Sequence, residues 1–139
     1  MKIITEYHTF KTKGDCDIVN ITDKVIDVLE KSSLKNGNAV VFVVGSTASI
    51  STIEYEPGLK KDLPEVLEKF IPSGRNYHHN ATWGDHNGHS HLRSTLFGCS
   101  QTIPFTNGEL LLGTWQQLIL IDFDERPRTR KVIIQLTGE

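Results

Sequence analysis

With 139 residues, 37% of them hydrophobic and 23% charged, the chain has the size of one domain and enough apolar side chains for its own core. Fifteen Lys and Arg against 17 Asp and Glu leave a net charge of −2, which removes any charge-based case for a nucleic-acid or anionic-membrane partner. No run reaches the ~18 apolar residues of a spanning helix, the amino terminus turns polar too early for a signal peptide, and Cys16 and Cys99 do not read as a disulfide framework. The expectation is a single cytoplasmic domain over residues 1–139.

Residues 3–12, with Tyr7, Thr9 and Phe10 among polar neighbours, read as a strand that stops at Lys13-Gly14-Asp15, and His8 within it reads as structural. Ile21, Val25, Val28 and Leu29 recur at helical spacing, Asn20 or Thr22 can cap, and Gly37 stands where a left-handed terminal residue belongs, so a helix is predicted near 20–35. Residues 39–44 are apolar, β-branched and few, the pattern of a strand buried on both faces, and 50–55 suit another strand. Leu59, Leu63, Val66, Leu67 and Phe70 predict a helix over 59–70, with Pro64 tolerated if it falls in the first turn. Residues 72–91 turn to Gly, Asn, His, Ser and Asp and read as a long functional loop. The last third offers strands at 102–105, 109–112, 115–123 and 131–136, with Asn107-Gly108 as a hairpin turn. The sum is an α+β fold, an antiparallel β-sandwich or barrel-like sheet with two helices. Neither GxGxxG nor GxxxxGK[ST] occurs, so the common nucleotide-binding loops are absent.

Five of the six histidines (His78, His79, His86, His89 and His91) fall within 14 residues. On an extended backbone His89 and His91 point to one face, and with His79 they offer three neutral imidazoles to a divalent ion. The alternative is hydrogen bonding within a polar loop, or a pH-sensitive patch. His78 and His86 read as outward-facing bystanders. Glu54 and Glu56 share a face if extended and could serve with Asp62 as general base, metal ligand or Mg²⁺ partner; otherwise Asp62 caps the second helix and the glutamates are solvated. Ser46-Thr47-Ala48-Ser49 after a buried strand could bind a phosphate, or form a self-bonded turn. Arg93 could clamp an anionic substrate or be a surface charge. Trp115 in Gly113-Thr114-Trp115-Gln116 reads as core or interface. Asp122 is either buried in a pair with Arg128 or solvated, and Cys99 reads as a small buried residue.

Several of these stretches carry a resemblance. Gly45-Ser46-Thr47-Ala48 through Ile53-Glu54-Tyr55-Glu56, then Asp62, Tyr77-His78-His79-Asn80, Asn87-Gly88-His89-Ser90-His91-Leu92-Arg93-Ser94, Leu112-Gly113-Thr114-Trp115-Gln116 and Asp122-Phe123-Asp124 resemble the YjbQ-like family, small proteins described as secondary thiamine-phosphate synthases. The resemblance implies a homotrimer and a site of His79 and His91 joined by Glu54 and Asp62, with Ser46-Thr47 beside them and a divalent metal, zinc first and magnesium second. It implies a small phosphorylated metabolite as substrate. The reaction joins a pyrimidine pyrophosphate to a thiazole phosphate and expels pyrophosphate. For it the chain offers an ion on His79, His89 and His91, Arg93 and Thr47 for phosphate oxygens, and Thr114 and Trp115, with Tyr77 or Trp83, for the rings. The same residues would serve metal-assisted phosphate-ester hydrolysis, with Glu54 activating water, or a non-catalytic metal- or metabolite-binding scaffold.

Overall fold

Alternating side chains make one long sheet amphipathic, and an unbroken apolar run makes a second, shorter sheet apolar on both sides. The computed structural model describes residues 1–139. In chain order the elements are β1 (Lys2–Thr12), β2 (Asp17–Asn20), α1 (Thr22–Ser32), β3 (Gly37–Val44), β4 (Ala48–Glu54), α2 (Pro57–Phe70), α3 (His78–Trp83), α4 (Gly88–Phe97), β5 (Ser100–Thr106), β6 (Glu109–Leu110), β7 (Gln116–Asp122) and β8 (Arg128–Gly138). The strands form two antiparallel sheets, ordered β1-β8-β3-β5-β6 and β2-β7-β4. The α+β class and the antiparallel sheet hold. There are four helices rather than two, because residues 72–91 contain α3 and the start of α4 where a loop was expected. No helix is long and apolar enough to cross a membrane.

The main core lies between the sheets. Val25, Val28 and Leu29 of α1 pack there with Val41, Ile134 and Leu136 of the large sheet and Ile50, Leu118 and Leu120 of the small one. A second core, on the far side of the small sheet, joins Ile119, Ile121 and Phe123 to Ile18 and to Leu67 of α2. The strand buried on both faces is therefore β7, clamped between two cores, and not β3, whose Phe42 and Val44 face outward. An apolar run alone cannot tell which strand receives cover on both sides.

Local details follow from the same chemistry. Helix α1 ends on Ser33 in the left-handed conformation, and Gly37 instead lets β3 approach β8, since a Cβ there would sit 2.1 Å from the Thr137 carbonyl oxygen. Helix α2 starts at Pro57 with Glu56 as its cap, its carboxylate accepting from the Gly58 and Leu59 N–H groups. Asp62 is thus an exposed residue inside the helix and not a cap, and Pro64 falls beyond the first turn. Asn107 (φ 53°) and Gly108 (φ 80°) make the expected two-residue hairpin turn, but β6 is only two residues long and Trp115 lies in the turn before β7. Cys99 is exposed, not buried.

The two sheets are also joined by charge. Asp122 of β7 is fully buried and accepts two hydrogen bonds from Arg130 of β8, Nε to Oδ2 and Nη2 to Oδ1, both 2.7 Å. The Thr12 hydroxyl of β1 donates to Oδ2, and the Asp124 N–H to Oδ1. The expected Asp122–Arg128 pair is thus corrected: Arg130 takes Asp122, and Arg128, two residues earlier on the same face of β8, takes Asp124. Removing one member of such a pair strands the other charge without water. Arg130→Met should therefore lower unfolding free energy by about 3–5 kcal/mol, read as a lower urea midpoint at unchanged slope; a loss under about 1 kcal/mol would contradict this role.

Candidate functional site

Helices α3 and α4 are short and carry few apolar residues, so their mutual placement rests on specific contacts. Gly88 opens α4 against α3: a Cβ there would lie 2.7 Å from Tyr77 Cβ and 2.9 Å from Asn80 Oδ1. The Gly88 N–H donates to that Asn80 oxygen (3.0 Å), and Gly84 ends α3 in the left-handed conformation. This close approach brings His79 of α3 and His91 of α4 to a ring-centroid separation of 4.3 Å, inclined at 51°. They border a cavity of about 350 Å³ with Tyr77, His78, Gly88 and Leu92.

Behind the pair runs a polar chain into the protein. Asn87 Oδ1 lies 3.2 Å from His79 Nε2, and Asn87 Nδ2 donates to Asp124 Oδ1 at 3.4 Å. Asp124 is buried; its Oδ2 accepts from Arg128 Nε (2.9 Å) and Nη2 (2.6 Å) and from the Thr47 hydroxyl (3.3 Å). Arg130 Nη2 donates to Thr47 Oγ1 (2.6 Å), which links this carboxylate to the Asp122 pair. Burial pushes the Asp124 carboxyl up, but the Arg128 hydrogen bonds, the Glu125 N–H and the Arg128 charge outweigh it and hold it below the usual range. Because the carboxylate only accepts, the Asn87 amide must present Nδ2 to it and Oδ1 to His79. His79 then carries its proton on Nε2 and keeps Nδ1 as a lone pair.

His91 is half-buried, and burial, helped by the charge of His79, pushes its pKa below the ordinary imidazole value, so it is neutral near pH 7. Asp85 Oδ2 lies 3.5 Å from His79 Nε2, and its other oxygen, Oδ1, is buried with no hydrogen-bond partner. The site thus offers one imidazole held neutral near pH 7, a second oriented through Asn87, and a nearby carboxylate with an unused acceptor. That set suits proton transfer or a soft-to-borderline divalent cation.

The structure divides the residues singled out in sequence. His89 does not join the pair. The His-Ser-His segment is helical, so positions two apart point about 200° apart, and His89 is buried on the opposite side, its Nδ1 unpartnered. The expected ligand trio of His79, His89 and His91 is therefore not assembled, and no three His, Cys, Asp or Glu side chains within the chain converge on a metal-sized site. Arg93 is neither a surface charge nor an anion clamp. It is 4% exposed, donates from Nε and Nη2 to the Ile71 carbonyl, and pairs with Glu68, tying α4 to the end of α2. Thr47 bridges the two carboxylate–arginine pairs, while Ser46 is exposed. Glu54, Thr114 and Trp115 gather around a different cavity, of about 390 Å³, that shares no lining residue with the first. Asp62 lines neither, and Trp83 stands exposed on α3. Sequence reasoning passed over Asn87 and undervalued Asp124; the paired spacing Asp122-x-Asp124 and Arg128-x-Arg130 was the available signal.

A family model described as "UPF0047 protein YjbQ-like" matches residues 6–139. The chain belongs to the UPF0047 family. Similar family members include the UPF0047 proteins of Methanothermobacter thermautotrophicus, 37% identical over all of this chain and 95% of that one, and of Archaeoglobus fulgidus, 38% identical over 91% and 96%. Similar solved structures include a YbjQ-like protein of unknown function from Sulfolobus solfataricus (TM-score 0.89, 32% identity, 99% and 100% of the two chains) and a hypothetical protein from Aeropyrum pernix (0.91, 34%, 98% and 99%). The antiparallel α+β architecture is thus that of UPF0047 proteins.

The buried histidines give this UPF0047 chain a definite pH response. His89 is held below its ordinary value by burial and then by Arg93, and His91 by burial and then by His79. The unfolded chain, with ordinary imidazoles near ~6.5, binds more protons, so stability is full above that pH and falls as pH drops through it. Asp124, depressed in the fold, contributes a loss only below about 3.9. Urea midpoints should hold steady from about pH 8 to 7 and decline from about 6.5 to 5, and His89→Leu should flatten part of the decline. A wild-type midpoint that is constant or rises over that interval would refute the assignment.

Proposed function

We propose that this UPF0047 protein is a small-substrate enzyme acting on a phosphorylated heterocycle at the His79–His91 pair, with the thiamine-phosphate synthase-like transfer implied by the resemblance as its reaction. The observation that carries the reading is the pair itself: two imidazoles 4.3 Å apart on the rim of a cavity, one held neutral and the other oriented by a buried carboxylate through Asn87. Scaffold histidines have no need of such orientation, whereas proton transfer and ligation do.

In the transfer, the bond from the pyrimidine methylene carbon to its pyrophosphate oxygen breaks. The thiazole nitrogen lone pair forms the new C–N bond, and the departing electron pair leaves on pyrophosphate. Catalysis requires positive charge or a proton at the leaving oxygens and a fixed approach of the two rings. An imidazole N–H of the pair can donate a hydrogen bond to those oxygens, and Tyr77 borders the same cavity as a ring neighbour. The donor set also fits a divalent ion in part. His79 and His91 would hold it, and zinc suits imidazole better than magnesium does. Such an ion supplies positive charge to phosphate oxygens. Two imidazoles leave ligand positions open, and the homotrimer implied by the resemblance, in a cytoplasmic setting, belongs to the same reading.

A second reading, hydrolysis of a single phosphate ester, is favoured by one observation. A cavity of about 350 Å³ is near the low end for small-molecule sites, roughly 300–1,000 Å³, and holds one phosphorylated heterocycle more comfortably than two. Glu54 lines the other cavity, so His91 would then be the base for water.

Pyrophosphate release separates the two. With purified protein and added Zn²⁺ or Mg²⁺, release that requires both heterocycles supports the transfer, and phosphate release from one substrate with water supports hydrolysis. In either case His91→Ala should reduce kcat by about 10²–10⁴, while His86→Ala, an exposed residue outside the cavity, should not. Unchanged turnover in His91→Ala, or no turnover of either kind, would overturn the assignment.

A further inference from the structure

A phosphorylated substrate carries a negative group, yet no Lys or Arg lines the His79–His91 cavity. The charges that bear on His91 are those of His79, Asp124 and Asp85, and two of these are carboxylates. The groups that sequence spacing offered for phosphate oxygens are occupied elsewhere. Arg93 holds the Ile71 carbonyl and Glu68, and Thr47 bonds Asp124 and Arg130. Arg128 and Arg130 are taken by the buried carboxylates. An anion entering this cavity therefore needs positive charge from beyond its walls.

Arg75 stands where that charge is needed. It is exposed in the segment between α2 and α3, and it pairs with no carboxylate of the chain. Its guanidinium rests 5.5 Å from the centre of the Tyr77 ring, and Tyr77 is itself a wall of the cavity. The segment that carries it is pinned on both sides. The Ser73 N–H and hydroxyl donate to Glu68 Oε1, the Tyr77 hydroxyl donates to the Pro72 carbonyl, and Arg93 Nε donates to the Ile71 carbonyl. The backbone is thus held, while the side chain at its crest has no strong partner. An exposed cation–π contact is weak, whereas a guanidinium meeting a phosphate makes two charge-assisted hydrogen bonds in one plane.

We propose that Arg75 selects the substrates of the His79–His91 cavity: its guanidinium leaves the Tyr77 ring and clamps the substrate's phosphate group. The inference rests on the function proposed above and adds to it the residue that favours phosphorylated over uncharged ring compounds.

The test titrates the full chain, without added metal and in a phosphate-free buffer, with phenyl phosphate. Phenol is the uncharged comparison, and the imidazole resonances of His79 and His91 are the readout. The proposal requires a saturable shift of both imidazoles. In Arg75→Gln, phenyl phosphate should bind about tenfold more weakly or worse, with the phenol response unchanged and the fold checked by the amide spectrum. Arg75→Lys should recover part of the loss, because an ammonium supplies the charge without the planar fork. Lys11→Gln, which removes the same charge from an exposed position on β1, should have no effect. Equal affinity in the wild type and Arg75→Gln, with both imidazoles still shifting, overturns the role of Arg75 and leaves the proposed function standing. Phenyl phosphate that moves neither imidazole contradicts phosphate binding in the cavity, and the inference falls with that reading. An equal loss in Lys11→Gln also overturns it, since net charge alone would then explain the attraction.

Discussion

Two carboxylates shut away from water set the terms for the rest of the molecule. Asp122 and Asp124 are 0% and 1% exposed, and ionised groups at that depth persist only with charged partners and saturated hydrogen bonds. Arg130 and Arg128, on one face of β8, supply both. Since Asp122 ends β7 in the small sheet and β8 belongs to the large one, the pairs fix how the sheets meet. Thr47, between β3 and β4, joins the two pairs into one unit. Apolar packing alone would tolerate small slides between the sheets; a bidentate arginine–carboxylate contact does not.

That unit also reaches the candidate site. Asp124 receives the Asn87 amide, which dictates the amide's orientation and so the tautomer of His79, while Gly88 admits α4 close enough to α3 to set His91 beside it. The chemistry of the pair thus depends in part on Asn87 and Asp124, which line neither cavity. The same architecture explains why the suspected site residues fall into separate places: the His cavity lies on the α3–α4 side, and Glu54, Thr114 and Trp115 gather where β4 ends and β7 begins. Within one chain they are two surfaces with different chemistry, one rich in imidazole and the other combining an indole with a carboxylate.

Much of the fold was legible because its elements carry strong periods or special turn residues. The apolar stripe of α1, the alternation of β1 and the Asn107-Gly108 hairpin each rest on local chemistry. What local chemistry does not contain is cover. β3 and β7 are both apolar, and only the second core makes β7 the doubly buried strand. Residues 72–91 read as a loop because Gly, Asn and His are weak helix formers, and tertiary contacts such as Gly88 against Tyr77 override that weakness. The helix assignment then decides the His-Ser-His segment, turning His89 inward and leaving His79 and His91 as a pair. Arg93 and Thr47 were misjudged for a related reason. A side chain that can bind a phosphate can equally bind a carbonyl or a carboxylate, and sequence spacing does not say which lies nearby.

The claim on which the account turns is that the buried carboxylate orients His79 through Asn87. Long-range proton–nitrogen correlation spectra of the imidazole rings near pH 7.5 measure this directly. The account predicts His79 as the tautomer protonated on Nε2, and a mixed or reversed tautomer in Asn87→Leu. A wild-type His79 protonated on Nδ1, or a ring unaffected by the loss of Asn87, would contradict it.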